Sequence, residues 1–150
     1  MRGKLHDYLG MAFDFNEKGK VKMNMSIYIK RMIEDFREKY KLDGVAETPA
    51  ACDLFSPGTG EMLNEEKRED FHTFVAKGLF ASKRARPDIQ PTIAVLTTRV
   101  KGPTDGDWKK LMRLMKYLNG TQDLVLTLAA NDLHVVKWYV DVSYLSLIHI

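Results

Sequence analysis

The 150-residue chain has few of the residues that staple or break structure: one cysteine, five prolines and ten glycines. A lone Cys52 forms no internal disulfide, which excludes a disulfide-stapled secreted scaffold and any thiolate-rich zinc site. No uninterrupted apolar run of about 18 residues occurs, so no segment reads as a membrane span. The N-terminal MRGKLHDYLG lacks the apolar centre of a signal peptide. Four histidines, His6, His72, His134 and His149, are dispersed without metal-ligand spacing. No GxSxG, HExxH or Walker-type glycine loop is found, and Gly58-Thr59-Gly60 is too short to cradle a phosphate. These absences lead to the expectation of a soluble, intracellular protein with no self-evident catalytic motif.

What is present is an ordinary globular composition, 45% hydrophobic and 29% charged. The net charge of +3 is unevenly spread. Between Lys77 and Lys116 ten cations (Lys77, Lys83, Arg84, Arg86, Arg99, Lys101, Lys109, Lys110, Arg113 and Lys116) face three acids, a local +7 that leaves −4 for the rest. Clustered cations of this kind suit a polyanion, because binding phosphates releases condensed counterions. The simpler reading is a solvated helical surface.

Hydrophobic periodicity divides the chain. His6 to Phe15 and Lys20 to Met25, with Val21, Met23 and Met25 alternating, predict a β-hairpin around Asn16–Gly19. Ser26 is the expected N-cap of a helix whose stripe is Ile29, Met32, Ile33 and Phe36, extended by Tyr40. Val45 to Leu63 holds Pro49, Pro57, Gly58 and Gly60 and reads as a connector. Asn64 should cap a second helix with Phe71, Phe74, Val75, Gly78 and Leu79 on one face, ended by Pro87. Asp88 is the expected cap of a third, with Ile93, Leu96 and Val100 inward and Pro91 in its first turn. Asp105 or Asp107 should open a fourth, with Trp108, Leu111, Met112, Met115 and Leu118 as stripe and Gly120 as its C′ glycine. Lys109, Arg113 and Lys116 then share the opposite face, with Lys110 beside them. Leu124–Leu128 and His134–Tyr139 predict a second hairpin, a pair too small to stand alone and expected to dock on the helices or fray. Asp141 ends that apolar run. A carboxylate there can ligate Mg²⁺, but one carboxylate holds no two-metal site, and a strand-ending surface aspartate is the simpler reading.

Several blocks, in order over about residues 6–144, resemble the pol polyprotein of copia-type LTR retrotransposons, from the end of reverse transcriptase to the start of RNase H. Tyr8-Leu9-Gly10 is similar to the family's YLG strand pair, and Tyr28 to Phe36 resembles the helix after it. Thr48-Pro49 matches its TP, Arg86-Pro87-Asp88-Ile89 its RPDI, Leu114 to Thr121 (LMKYLNGT) its RYLKGT, and Tyr139-Val140-Asp141 the opening of RNase H. The polymerase's own Tyr-Val-Asp-Asp is expected upstream. Tyr139-Val140-Asp141 is not that motif, since Val142 replaces the second aspartate. The tail Leu145–Ile150 matches nothing in the family and reads as a non-native end.

The resemblance implies an α+β fold: an N-terminal hairpin, a mostly helical middle and a C-terminal hairpin of an incomplete RNase H domain. The implied divisions are 1–43 (palm edge, primer grip and first helix), 44–121 (thumb or connection) and 122–150 (start of RNase H). Tyr8, Leu9, Gly10 and Met11 would form the primer grip. Lys83, Arg84, Arg86, Lys109, Lys110, Arg113 and Lys116 would follow the sugar-phosphate backbone of an RNA/DNA template–primer duplex. Asp141 would be the first RNase H carboxylate and Mg²⁺ ligand. Mg²⁺ belongs to the intact parent, an RNA-directed DNA polymerase and RNase H in a cytoplasmic virus-like particle or the nucleus. This chain alone is expected to hold no cofactor, to be inactive in both reactions, and to partner the remainder of the polyprotein but no membrane. The alternative is a stand-alone helical module that binds nucleic acid or protein.

Overall fold

The computed structural model describes residues 4–130. The expected strand His134–Tyr139, Asp141 and the tail from 145 lie outside the described residues. The fold is α+β, with an antiparallel sheet against four helices. β1 (Leu5–Tyr8), β2 (Met11–Asp14) and β3 (Lys20–Asn24) form a meander. They are followed by α1 (Ser26–Lys39), α2 (Glu65–Ser82), a 3₁₀ turn at Pro87–Ile89, α3 (Gln90–Thr97), α4 (Asp105–Gly120) and β4 (Leu126–Ala129).

The sheet corrects the reading of His6–Phe15 as one arm. That segment folds back on itself, because Leu9 and Gly10 both have positive φ, +51° and +75°, as a two-residue type I′ hairpin requires. Leucine is an unusual occupant of that region, and the turn signal was therefore half hidden. The strand order is β1-β2-β3-β4. β4 pairs antiparallel with β3, from Lys20 opposite Ala129 to Met23 opposite Leu126. The first arm of the expected C-terminal hairpin thus joins the N-terminal sheet. β2 and, after Lys20, β3 are half-buried along their length, with Met11 and Met23 against the helices.

The helical stripes meet as their periodicity predicts. Ile29, Met32, Ile33 and Phe36 from α1 join Phe71, Phe74 and Val75 from α2, Ile93 and Leu96 from α3, and Leu111, Met115 and Leu118 from α4 in one core. Phe36 meets Phe74 edge-on, with centroids 4.8 Å apart, and Trp108 stacks beside it at 6.0 Å. Tyr40 continues the stripe half-buried. Leu79 does not, being 37% exposed.

Asn64 caps α2, its side chain accepting the Lys67 N–H. Four other expected ends differ. Burial of Met25 in the sheet–helix junction makes it the cap position of α1, and Ser26, the first helical residue, gives its hydroxyl to Asn24 Oδ1 at 2.9 Å. Asp88 is drawn away to a side-chain cluster, so α3 starts from Ile89 without a side-chain cap. Thr104, not an aspartate, caps α4, in a capping box whose reciprocal acid is Asp107. Gly120 is the last helical residue and keeps negative φ.

Replacing Leu9, 57% exposed, by asparagine removes the left-handed penalty while sacrificing little burial. Leu9→Asn should raise stability by about 0.5–1 kcal/mol in urea titration. An unchanged midpoint would show that this turn is not strained.

Candidate nucleic-acid interface

The sequence-predicted cations separate into three environments. On α4, Lys109, Lys110, Arg113 and Lys116 sit opposite the buried stripe, and among the described residues none of them forms an ion pair with a carboxylate. The helix places them because the core needs Trp108, Leu111, Met115 and Leu118, leaving the other side to charge.

The 45–63 connector does not stand clear of this face. Lys110 Nζ donates to the Ser56 carbonyl at 2.7 Å, and an Arg113 Nη donates to Thr48 Oγ1 at 2.9 Å. Lower down, the Gly106 and Asp105 amides donate to the Thr59 and Glu61 carbonyls at 2.8 and 3.0 Å. The first-turn donors of α4, which a free helix would offer to an anion, are thus used inside the chain. Two cavities remain beneath the connector, of about 550 and 540 Å³, and Lys109 and Arg113 line both. Lys110 belongs to the first and Lys116 to the second; Asp53 and Glu47 supply one acid to each.

Lys83 and Arg84 lie at the end of α2 and line neither cavity. Lys83 is exposed. Arg84 stacks its guanidinium 3.5 Å from the Phe80 ring centroid and donates to the Phe80 carbonyl, so only part of it faces solvent.

Arg86 is inside the protein, 1% exposed. Its Nε donates to both Asp88 oxygens at 2.9 and 3.2 Å, one Nη donates to Asp88 Oδ2 at 2.7 Å and Thr121 Oγ1 at 2.7 Å, and the other to the Thr121 carbonyl at 2.8 Å. Tyr117 donates its hydroxyl to Asp88 Oδ2 at 2.8 Å. The guanidinium is consumed and cannot reach a phosphate. Burial works to raise the Asp88 pKa, but the Arg86 hydrogen bonds and charge, with the Tyr117 hydroxyl, outweigh it and hold the carboxyl below its ordinary range. The Tyr117 phenol is raised, by burial first and then by its bond to Asp88.

Tyr8 and Leu9 are exposed at the β1–β2 turn. Gly10 and Met11 line a separate cavity of about 280 Å³ with Tyr28 and Arg31 from α1.

No family model, curated protein or solved structure matches this chain. Among the described residues, no group of three or more His, Cys, Asp or Glu is placed to hold a metal ion, and no helix is long and apolar enough to cross a membrane. Asp141, the expected Mg²⁺ ligand, is outside those residues.

Breaking the Arg86 cluster from one side leaves a buried charge unpaired. Arg86→Met should cost about 3–5 kcal/mol in urea unfolding, and Arg86→Met with Asp88→Leu should recover part of it. A cost below about 1 kcal/mol would mean the cluster is dispensable. Because the folded pKa of Asp88 is depressed, its contribution is present above the unfolded value of about 3.9 and is lost as pH falls through the folded one. Asp88→Asn should therefore flatten the acid limb of stability below about pH 4. At the connector, an alanine Cβ at Gly106 would come within 2.6 Å of the Thr59 backbone nitrogen. Gly106→Ala should cost about 1–3 kcal/mol, and a neutral result would show that the connector yields freely.

Proposed function

We propose that this chain is the template–primer-binding part of a retrotransposon-type reverse transcriptase/RNase H polyprotein, incomplete as a catalyst by itself. The observation that carries the reading is the α4 face, where Lys109, Arg113 and Lys116 recur at four- and three-residue spacing without a carboxylate partner among the described residues. Sequence-blind contact with phosphates needs cations on a rigid element, not readers of base edges. The motif blocks add support. Arg86 and Asp88 of the RPDI-like block bond Thr121 and Tyr117 of the RYLKGT-like block, so residues matched far apart in sequence form one structural unit.

In this reading Lys83 and the partly stacked Arg84 are secondary contacts, Arg86 is a scaffold residue, and the exposed Tyr8–Leu9 turn borders the primer. Mg²⁺, polymerase and RNase H activity and a cytoplasmic or nuclear location are properties of the proposed parent. A stand-alone binding module is favoured by one observation, the pairing of β4 with β3, which joins the two ends of the described chain in one sheet.

The test is RNA/DNA duplex binding as a function of salt. Replacing Lys109, Arg113 and Lys116 together by glutamine should lower the slope of log K against log[salt] by about 2–3 units. An unchanged slope removes α4 from the interface and with it this proposal.

A further inference from the structure

The larger cavity, about 550 Å³, has a composition that backbone contact alone does not require. We propose that it is a seat for one nucleoside-phosphate unit, either a free mononucleotide or the terminal nucleotide of a strand. The inference goes beyond the duplex-binding reading and needs only the cavity. Its volume lies within the roughly 300–1,000 Å³ of small-molecule sites and far exceeds what a bare phosphate occupies.

Charge and bulk are contributed by different walls. Lys109, Lys110 and Arg113 line the α4 side, against the single acid Asp53. Pro49, Leu54 and Pro57 line the connector side. Among the described residues one Arg113 Nη has a protein partner, Thr48, and the other Nη has none. A phosphate oxygen beside those outer guanidinium nitrogens accepts the charge-assisted hydrogen bonds that this part of the chain leaves open. Thr59 and Thr92 add hydroxyls. Among the described residues the lining has no aromatic ring, so the seat reads phosphate and bulk without choosing among bases.

The experiment is amide chemical-shift titration of the full chain. Adenosine and uridine monophosphates should saturate the same amides around Lys109, Lys110 and Arg113, with affinities within about threefold of each other, while adenosine shifts none of them. Lys110→Gln should weaken both nucleotides about fivefold or more, and Lys101→Gln, an exposed cation outside the cavity, should leave them unchanged. A 5′-phosphorylated hexanucleotide that binds there better than its 5′-hydroxyl form identifies a strand end as the source; mononucleotides that bind as tightly as the phosphorylated strand identify the free compound. Binding of adenosine as tight as its monophosphate, inorganic phosphate matching the nucleotides, or shifts spread evenly over the cations of the surface would each overturn the proposal. Duplex salt dependence read alongside keeps the two readings apart, because Lys110 is not among the three residues that test the first.

Discussion

A buried guanidinium orders the second half of this molecule. Arg86 stands just before the 3₁₀ turn that starts α3, and its donors reach Asp88 on that turn and Thr121 just beyond α4. Tyr117 closes the circuit from the last turns of α4. An arginine without those acceptors would be expelled to water, so the cluster is made complete or not at all. Its planar fork fixes where α4 ends relative to the start of α3, a definition that the apolar contacts between those helices do not supply. The cations on the outer face of α4 thus sit on a helix placed by its apolar stripe and tied at its end by a cation that is inside.

Much of the helical architecture was legible in the sequence, because a 3.6-residue stripe has a single physical solution once there is a core to bury it in. The Ile29–Phe36 and Trp108–Leu118 stripes and the Asn64 cap are instances. Features that depended on distant partners were not legible. Leu124–Leu128 reads as a strand, but nothing local says that its neighbour is β3. Arg86 reads as one cation among ten, and only the proximity of Asp88 and Thr121 turns it inward. Asp88 reads as a cap because it precedes a helix, but a guanidinium competes better for its carboxylate than backbone amides do.

The candidate interface divides along the same line. Spacing alone grouped Lys109, Arg113 and Lys116, and their common face on α4 follows from the helix. That a proline- and glycine-containing connector lies over that face is not legible locally, for a segment without periodicity carries no information about what it touches. Pro49, Pro57 and Gly58 line the first of the two cavities that Lys109 and Arg113 share, and Val45, Ala46 and Glu47 line the second. Loops on a rigid scaffold are where recognition commonly sits, and here the loop and the basic helix face share the same walls.

The joining of β4 to β3 sets how such a chain can be made. The two strands meet across roughly a hundred intervening residues, so their ladder forms only after a long closure whose entropy cost precedes any reward. During synthesis β3 emerges early and stays an open template, with unpaired amides and carbonyls, until the four helices have followed it out of the ribosome. Lys20 and Lys22 on that strand, both ion-paired with Glu17, set a charged cluster beside the exposed ladder, which discourages a neighbouring nascent chain from taking the place reserved for β4.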